Sequence, residues 1–237
     1  ISELKGTFKT AKNGAIVDVH VESADMTVED MALIGKLLDV ESAFFLGPNF
    51  TDEYIAQLAN LKKMKTFAIQ NSNITAESLN VIAGYPELTS LDLRRNVNLE
   101  NKDLEIVAAM PKLETLRIYY NSFGNAGMNK LAKSTSLKVV DVRACQGVSD
   151  NSAKYLARIP TLEEVQFRFL ITNSGVEMLT AAQNLKFVEF QDCNDLNAGC
   201  VEFLKQFPNL TGLRMFRNKG LDDAAVAGLA ELKLKRP

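Results

Sequence analysis

Hydrophobic residues recur along the chain in one short frame, in which a first residue is followed by apolar residues three and five places later. Leu88, Leu91 and Leu93 show this frame in full. Its first residues lie at Gly14, Val40, Met64, Leu88, Leu113, Leu137, Leu162, Leu185 and Leu210. The spacings between them are 26, 24, 24, 25, 24, 25, 23 and 25 residues. So constant a period predicts a repeat protein whose units stack on one another.

Each copy of the frame predicts a strand, a turn and a short helix. The alternation of apolar and other residues is typical of a strand that buries one face. In eight of the copies the turn that follows the strand carries one apolar residue: Phe50, Ile74, Leu99, Phe123, Val148, Ile171, Leu196 and Leu221. A residue suited to capping a helix comes next, as at Thr51 and Ser149, and an amphipathic segment closes the unit.

The residue three places after the frame completes a more specific motif. In five copies it is Asn or Cys: Asn96, Asn121, Cys145, Cys193 and Asn218. With this residue the motif resembles the leucine-rich repeat. It is most similar to the cysteine-containing type of F-box adaptor proteins and their bacterial counterparts, in the ribonuclease-inhibitor-like superfamily. The resemblance implies a right-handed α/β solenoid of about nine repeats of 23–26 residues, with a parallel concave sheet and convex helices.

Three copies depart from the motif, because Pro48, Ser72 and Leu170 stand at the Asn or Cys position. We expect the ladder of turn-stabilising side chains to be imperfect there. No F-box segment precedes the repeats in this sequence, so the resemblance is not extended to a ubiquitin-ligase role.

The two ends of the chain do not follow the repeat. Leu4, Gly6 and Phe8 alternate with polar residues, and Asn13-Gly14 is a strong hairpin signal. We therefore predict a capping strand or hairpin in residues 1–13 and a leucine-rich-repeat domain in residues 14–237, forming a single domain overall. Near the other end, Leu232 and Leu234 begin a turn that does not develop. Basic residues are expected to guard that edge: Lys233, Lys235 and Arg236.

Composition excludes several classes of protein. The 237 residues are 46% hydrophobic and 24% charged, enough to bury a sizeable core. No apolar run approaches the roughly 18 residues of a spanning helix, so we expect no membrane span. A net charge of −2 gives no general attraction to nucleic acid. No signal peptide is visible in the chain. Because a signal peptide that had been removed would leave no trace, the sequence does not determine the cellular compartment.

The charge is unevenly distributed along the chain. Residues 1–60 carry four bases and ten acids, a net charge of −6, and the remainder carries 23 bases and 19 acids, a net charge of +4. An acidic head and a basic tail suggest head-to-tail self-association as one hypothesis. The oligomeric state is otherwise left open.

The cysteines and the histidine offer little chemistry. Cys145 and Cys193 occupy the ladder position two repeats apart, and Cys200 falls in a helix, so we expect structural thiols rather than a disulfide or a metal site. Free thiols slightly favour a reducing compartment. His20, the single histidine, has no nucleophile motif beside it. We therefore expect no enzyme, no cofactor and no metal site.

The arginines are the informative residues. All nine lie at or after Arg94, most of them in or just after the strands. The ladder six residues after each first residue reads His20, Leu46, Gln70, Arg94, Tyr119, Arg143, Arg168, Gln191 and Phe216. Arg, Tyr and Phe are enriched where proteins bind proteins. We predict a partner-binding stripe of Arg94, Tyr119, Arg143, Arg168 and Phe216, with Arg95, Tyr120, Phe169 and Arg217 on its flank.

A neighbouring ladder offers an alternative for the same arginines. Four residues after each first residue it reads Asp18, Phe44, Ala68, Asp92, Arg117, Asp141, Gln166, Glu189 and Arg214. Acids and bases alternate there, so neighbouring strands can neutralise each other, and we expect this ladder to be mostly structural. The acids at Asp92, Asp141 and Glu189 can also pair with the stripe, which would make it an ordinary surface.

The long open face of a solenoid suits recognition better than catalysis. Our first hypothesis is a non-enzymatic protein- or peptide-binding module that recognises an acidic partner, because guanidinium groups bind carboxylates bidentately. The alternative is a receptor for an anionic glycan or small ligand on the same face. The identity of the partner does not follow from the sequence.

Overall fold

The computed structural model describes residues 6–22, 25–232 and 234, and these form an open α/β solenoid. Ten strands follow one another in chain order across one sheet. They are β1 Thr7–Thr10, β2 Ile16–Val21, β3 Ser42–Leu46, β4 Thr66–Gln70, β5 Ser90–Asp92, β6 Thr115–Arg117, β7 Val139–Asp141, β8 Glu164–Arg168, β9 Phe187–Gln191 and β10 Gly212–Phe216. The strands from β2 to β10 are parallel, and the predicted fold class is confirmed.

A short helix follows each parallel strand. The helices are α1 Val28–Ile34, α2 Asp52–Ala56, α3 Ala76–Ala83, α4 Leu104–Ala108, α5 Asn125–Leu131, α6 Asp150–Leu156, α7 Asn173–Leu179, α8 Cys200–Leu204 and α9 Asp223–Ala230. A 3₁₀ turn over Asn101–Asp103 leads into α4. The helices pack on their neighbours in sequence, so each repeat contacts mainly the repeats before and after it.

The core lies between the sheet and the helices. The frame residues and the apolar turn residues are fully or almost fully buried from the second repeat to the eighth, and Phe45, Phe67, Phe167 and Phe190 are among the largest. The rings of Phe167 and Phe190 stack at 6.0 Å on adjacent strands. At the last repeat the core is less covered, because Leu213, Met215 and Leu221 are only partly buried.

The first repeat corrects the predicted register. Asp18 pairs with Ser42, and His20 pairs with Phe44. The frame therefore starts at Ile16 and continues through Val19 and Val21, two residues later than the predicted start at Gly14. Gly14 lies instead in the hairpin turn with a φ of 82°. The first spacing becomes 24 residues, counted from Ile16 to Val40, in line with the others.

Strand β1 pairs with β2 in antiparallel fashion, with Phe8 opposite Val19. The hairpin turn is closed by hydrogen bonds between Ala11 and Ala15 and between Gly14 and Ala11. Of the residues predicted to cap the two ends, Leu4, Lys233, Lys235 and Arg236 lie outside the described part of the chain. The division of the chain after residue 13 stays a prediction.

Buried asparagines join the turns of successive repeats. The Oδ1 of Asn121 accepts the backbone N–H of Asn96 at 2.6 Å, and its Nδ2 donates to the carbonyls of Leu93 and Ile118 at 2.9 and 2.7 Å. Asn96 and Asn218 accept and donate in the same way to the repeats before them: Ser72, Ile69, Cys193 and Phe190. The side chain thus satisfies backbone groups that are shut off from water.

The predicted imperfection of this ladder is seen where the motif is lost. The Ser72 hydroxyl donates to the Gln70 carbonyl of its own repeat at 2.9 Å. The Cys145 thiol, which keeps the motif, donates to the Ile118 carbonyl of the repeat before it at 3.1 Å. Leu170 does not enter the ladder and is 53% exposed. Its repeat is also the shortest, at 23 residues from Leu162 to Leu185.

The residue before each ladder position has a positive φ. In seven repeats this residue is not glycine: Asn71, Arg95, Tyr120, Ala144, Phe169, Asp192 and Arg217. Side chains with a Cβ disfavour this backbone region by about 1–2 kcal/mol, so the surrounding hydrogen bonds must hold it. At this residue the chain leaves the sheet and turns toward the helix layer.

A second ladder caps the helices from the preceding repeat. The carboxylate of Asp52, at the start of α2, accepts the backbone N–H groups of Thr75 and Ser78 at 2.9 and 3.1 Å, together with both hydroxyls. Asn101 and Asp150 likewise accept hydrogen bonds from the start of the helix in the repeat that follows each of them. Burial opposes ionisation of Asp52, but the bonds from Ser78 and Thr75 outweigh it and hold its pKa below the ordinary value.

Removing an asparagine from the turn ladder should destabilise the solenoid. We expect Asn121→Ala to lower the free energy of unfolding by about 3 kcal/mol, because it leaves several buried backbone groups unpaired. Urea unfolding followed by circular dichroism measures the change. The control is Asn98→Ala in an exposed turn, which should stay within about 0.5 kcal/mol of wild type. Equal urea midpoints for the two variants would contradict the role of the ladder.

Replacing alanine by glycine at a residue with a positive φ should stabilise the protein against unfolding. Ala144 has a φ of 55°, so Ala144→Gly relieves the strain of the Cβ, while the loss of chain entropy offsets part of the gain. We expect a stabilisation of up to about 1 kcal/mol in the same unfolding measurement. Ala126→Gly, inside α5, should instead destabilise by about 1 kcal/mol. A loss of stability in both variants would show that the turn is not strained.

Candidate functional site

The outward face of the sheet changes character between β4 and β5. On β3 and β4 it carries no charged side chain, Phe44, Leu46 and Ala68 are partly exposed, and the rings of His20 and Phe44 are 4.3 Å apart. From β5 onward it carries guanidinium and carboxylate groups: Asp92, Arg94, Arg117, Asp141, Arg143, Arg168, Glu189 and Arg214. The predicted stripe therefore lies on the second half of the face.

Arg94 is held by Asp92, two residues before it. Its Nε lies 2.8 and 2.7 Å from the two carboxylate oxygens, and its Nη2 lies 2.6 Å from Oδ2. The Nη1 of Arg94 donates to the hydroxyl of Tyr119 on the next repeat. Gln70 also donates to Asp92, at 3.2 Å. Asp92 is 7% exposed, so Arg94 is oriented by a buried carboxylate.

Arg143 is held in the same way by Asp141. Its Nε and Nη2 lie 2.9 and 2.7 Å from the carboxylate oxygens, and its Nη1 reaches Glu189, two strands away, at 3.0 Å. Arg214 donates to the other oxygen of Glu189 at 3.1 Å. Hydrogen bonds with Asp141, opposed by burial, raise the pKa of Arg143 above its ordinary value. The group is therefore a permanent cation in a fixed position.

Asp192 joins two further arginines of the predicted site. Arg168 Nε lies 2.8 Å from its Oδ2, and the Nε and Nη2 of Arg217 lie 2.8 and 2.7 Å from its two oxygens. Arg168 also donates to the hydroxyl of Tyr120 at 3.1 Å, across two repeats. The pairing with Asp92, Asp141 and Glu189 that the sequence left open as an alternative is thus seen for Arg94, Arg143 and Arg214. Arg168 and Arg217 are paired instead with Asp192, which that alternative did not include.

Aromatic rings separate the guanidinium groups. The Cζ atoms of Arg94 and Arg143 lie 4.8 and 5.3 Å from the centre of the Tyr119 ring. Arg168 lies 4.3 Å from the ring of Phe169, and Arg217 lies 4.8 Å from that of Phe216. Stacking of this kind adds attraction and limits the motion of both side chains. The predicted stripe and its flank therefore form one connected surface of cations, rings and buried acids.

Within the described residues, two arginines of this face are not paired with an acid. Arg117 lies in register between Asp92 and Asp141, yet both carboxylates are occupied by Arg94 and Arg143. Within the described residues, Arg117 has no hydrogen bond or ion pair through its side chain. The same holds for Arg95, whose guanidinium lies 5.0 Å from the centre of the Tyr120 ring. Both side chains are exposed.

The two unpaired arginines line two adjoining depressions. The first, of about 220 Å³, is bounded by Arg94, Arg117, Tyr119, Arg143, Gln166 and the two buried aspartates. The second, of about 190 Å³, is bounded by Leu46, Gln70, Arg94, Arg95 and Tyr119. Arg94 and Tyr119 line both depressions. Each is large enough for a side-chain carboxylate and is open to solvent.

The flank of the predicted site lies on the turns that leave the sheet. Tyr120 and Phe169 are 43% and 44% exposed, and Phe216 of the stripe, at the end of β10, is 50% exposed, which is high for aromatic side chains. Tyr120 and Phe169 have positive φ values, as do Arg95 and Arg217. A wider cleft of about 780 Å³ lies near the last strands, beside Phe169, Met215 and Leu221. The structure places the nine predicted residues along one edge of the face, from β5 to β10.

The cysteines are buried and the histidine is bonded to an acid. Burial raises the pKa of the Cys145 and Cys193 thiols to about 12 and that of Cys200 to about 11. The Nε2 of His20 lies 2.8 Å from the Oε1 of Glu22, a hydrogen bond that the carboxylate oxygen accepts. Within residues 6–22, 25–232 and 234, no cluster of three His, Cys, Asp or Glu side chains is placed to hold a metal ion. In the same residues no helix is long and apolar enough to span a bilayer.

Comparison with solved structures identifies the architecture. An internalin (inlF) of Listeria monocytogenes superposes with a TM-score of 0.55 at 19% identity, over 87% of this chain and 56% of its own. The Rad7 and Elc1 complex of yeast superposes with a TM-score of 0.61 at 16% identity, over 94% of this chain and 69% of that one. The fold is of the leucine-rich-repeat type. No family description and no curated protein matches the chain.

These likenesses concern the leucine-rich-repeat fold alone. The chain spans little more than half the length of the internalin chain. The cysteine-containing type within this fold stays a prediction.

Arg117 is the residue that sequence reasoning assigned to a structural ladder. In register it lies between two aspartates, which suggested neutralisation across strands. The structure pairs each aspartate with the arginine two residues later in its own repeat instead, as Asp92 with Arg94. The Asp-Leu-Arg and Asp-Val-Arg sequences at residues 92–94 and 141–143 are the signal that could have revealed this, since the sequence at Arg117 has no acid two residues before it.

Acid should release the arginines held by Asp192. Hydrogen bonds from Arg217, opposed by burial and aided by Arg168, hold the pKa of Asp192 below its ordinary value. The stability from these bonds is therefore present above about pH 4 and is lost as the pH falls through the lower folded-state pKa. We expect Asp192→Asn to be less stable than wild type at pH 7, with a difference that shrinks toward zero at low pH.

Urea unfolding at a series of pH values measures this difference. Asp195→Asn, at an exposed neighbouring position, is the control and should match wild type throughout. A gap for Asp192→Asn that stays constant from pH 7 to low pH would contradict the assignment.

Proposed function

We propose that the chain is a non-enzymatic module that binds a protein or peptide on its concave face. The contacting surface comprises the stripe Arg94, Tyr119, Arg143, Arg168 and Phe216 with its flank Arg95, Tyr120, Phe169 and Arg217, and it includes Arg117. The repeat fold supports this function, because it offers a long, rigid and open face. The yeast structure of similar fold is a complex of two proteins, Rad7 and Elc1.

Arg117 is the observation that carries the proposal. It is an exposed cation in the middle of the charged half, and the two carboxylates nearest in register are bonded to other arginines. A guanidinium group in this position has all its N–H donors available to a partner. Because a carboxylate accepts two parallel bonds from arginine, an acidic side chain is the group that fits best.

The paired arginines contribute in a different way. Buried carboxylates fix Arg94 and Arg143 before any partner arrives, so little side-chain entropy is lost when the partner binds. Each of the two uses three of its five N–H donors within the chain, and the other two make no hydrogen bond within the described residues. Together with Tyr119 they form the walls of the depression that Arg117 lines.

The pairing also decides which variant tests the surface. Replacing Arg143 by Glu would place a third carboxylate beside the buried Asp141 and Glu189 and would destabilise the fold. Arg117→Glu breaks no ion pair within the described residues. Lys154→Glu, on the exposed side of α6, changes the charge by the same amount and breaks no ion pair within the described residues, so it is the matched control.

Arg117→Glu should weaken partner binding. A partner captured from an extract of the native source with the wild-type chain is purified, and its affinity for each variant is measured by calorimetry. We expect Arg117→Glu to weaken binding at least about tenfold, because the loss of a buried charge pair costs 2 kcal/mol or more. Lys154→Glu should bind as the wild type does. Because Arg117→Glu places a carboxylate in register with Asp92 and Asp141, Arg117→Gln is measured beside it and should weaken binding while unfolding at the wild-type urea midpoint within error.

The same measurement can overturn the proposal. Equal affinities of wild type and Arg117→Glu would remove the concave depression from consideration and direct attention to the helices or the solenoid ends. Equal losses in Arg117→Glu and Lys154→Glu would mean that overall charge, not this surface, drives binding. An acidic oligosaccharide that binds more tightly than any captured protein would favour the receptor for an anionic glycan.

A further inference from the structure

We infer that the partner segment carries two acidic residues, one for each unpaired arginine, set three or four residues apart in an extended chain. This inference rests on the proposed function and deepens it. Arg117 and Arg95 are exposed arginines of the charged half that have no carboxylate partner within the described residues, and they line adjoining depressions. One acidic side chain can occupy each depression at the same time.

The surroundings of Arg95 favour an anion from outside the chain. Leu46, Gln70, Arg94 and Tyr119 line its depression with it, and none of them is acidic. The nearest acid along the chain, Asp92, is bonded to Arg94 and Gln70. Arg95 itself has a φ of 59° and stacks on Tyr120, so its backbone and its guanidinium plane are both restrained.

The two depressions share a wall that keeps the two acidic side chains apart. Arg94 and Tyr119 line both, and they are joined by a hydrogen bond and by stacking at 4.8 Å. The wall carries the fixed charge of Arg94, which attracts a carboxylate from either side. The partner segment therefore crosses over the Tyr119 ring with one acidic residue on each side of it.

Strand geometry sets the distance between the two acidic residues. Arg95 and Arg117 lie on adjacent repeats and differ by three positions within the repeat. One strand spacing of about 4.8 Å across the sheet and three residues of about 3.3 Å each along the strand give a separation of roughly 11 Å between the two Cα atoms. An extended peptide covers this distance in three to four residues. Glutamate suits the second depression, since its methylene groups can contact Leu46.

Arginine side-chain NMR tests this inference with defined peptides. The probes are ten-residue Gly/Ser peptides with two Glu residues placed one to six positions apart, together with a single-Glu peptide and a two-Gln peptide. The full chain is labelled with ¹⁵N, and Arg95→Lys and Arg117→Lys assign the two Nε–Hε signals. Each peptide is titrated to millimolar concentration at low salt, where charge pairs are little screened.

We expect the peptides with Glu residues three or four positions apart to shift both signals along one common binding curve. Their affinity should exceed that of the single-Glu peptide by about tenfold, because the second contact is intramolecular. Arg95→Gln and Arg117→Gln should each reduce this advantage to within about twofold, and Lys154→Gln should preserve it.

The outcomes separate this inference from the proposed function. If the single-Glu peptide shifts Arg117 and a second Glu adds nothing at any spacing, the two-acid inference fails and the proposed function stands. If no peptide shifts either signal at millimolar concentration, both fail. A chondroitin sulfate hexasaccharide that shifts both signals at lower concentration than every peptide would overturn the choice of a peptide.

Discussion

The hydrogen bonds between consecutive turns are the interaction on which the rest of the structure depends. Asn121 accepts the N–H of Asn96 and donates to the Leu93 carbonyl, so each turn is fixed on the one before it. In the repeats that keep the motif, the bonded residue follows one with a positive φ, at which the strand leaves the sheet. The register of the strands follows, and with it the ladders of outward side chains that form the candidate site.

Buried carboxylates then decide which cations of the face are free. Asp92 and Asp141 are shielded from water, and each is bonded to the arginine two residues later in its own repeat. Burying these carboxylates costs desolvation free energy. Since a buried carboxylate must keep its partner, each pair fixes the position of its arginine. Arg117 is left between them with no acid of its own. A surface that looks neutral by its residue count therefore contains localised unpaired cations.

The sequence predicts the fold well because its period is set by packing. Frame residues such as Leu91 and Leu116 must stack on each other, so a motif visible in the sequence reports their contact. The first repeat was misplaced by two residues, because Gly14 fits the frame by spacing while Ile16 fits it by burial. The ladders alone do not decide which arginine each aspartate binds, since Asp92 lies beside both Arg94 along the chain and Arg117 across the sheet. Side-chain geometry, not register, selects Arg94.

The structure of the chain bound to its captured partner tests the central claim most directly. The account predicts an acidic side chain of the partner with a carboxylate oxygen about 3 Å from the guanidinium of Arg117, while the bonds from Arg94 to Asp92 and from Arg143 to Asp141 stay intact. A partner seated on the helices, or one that reaches the concave face only by breaking those two pairs, would contradict it.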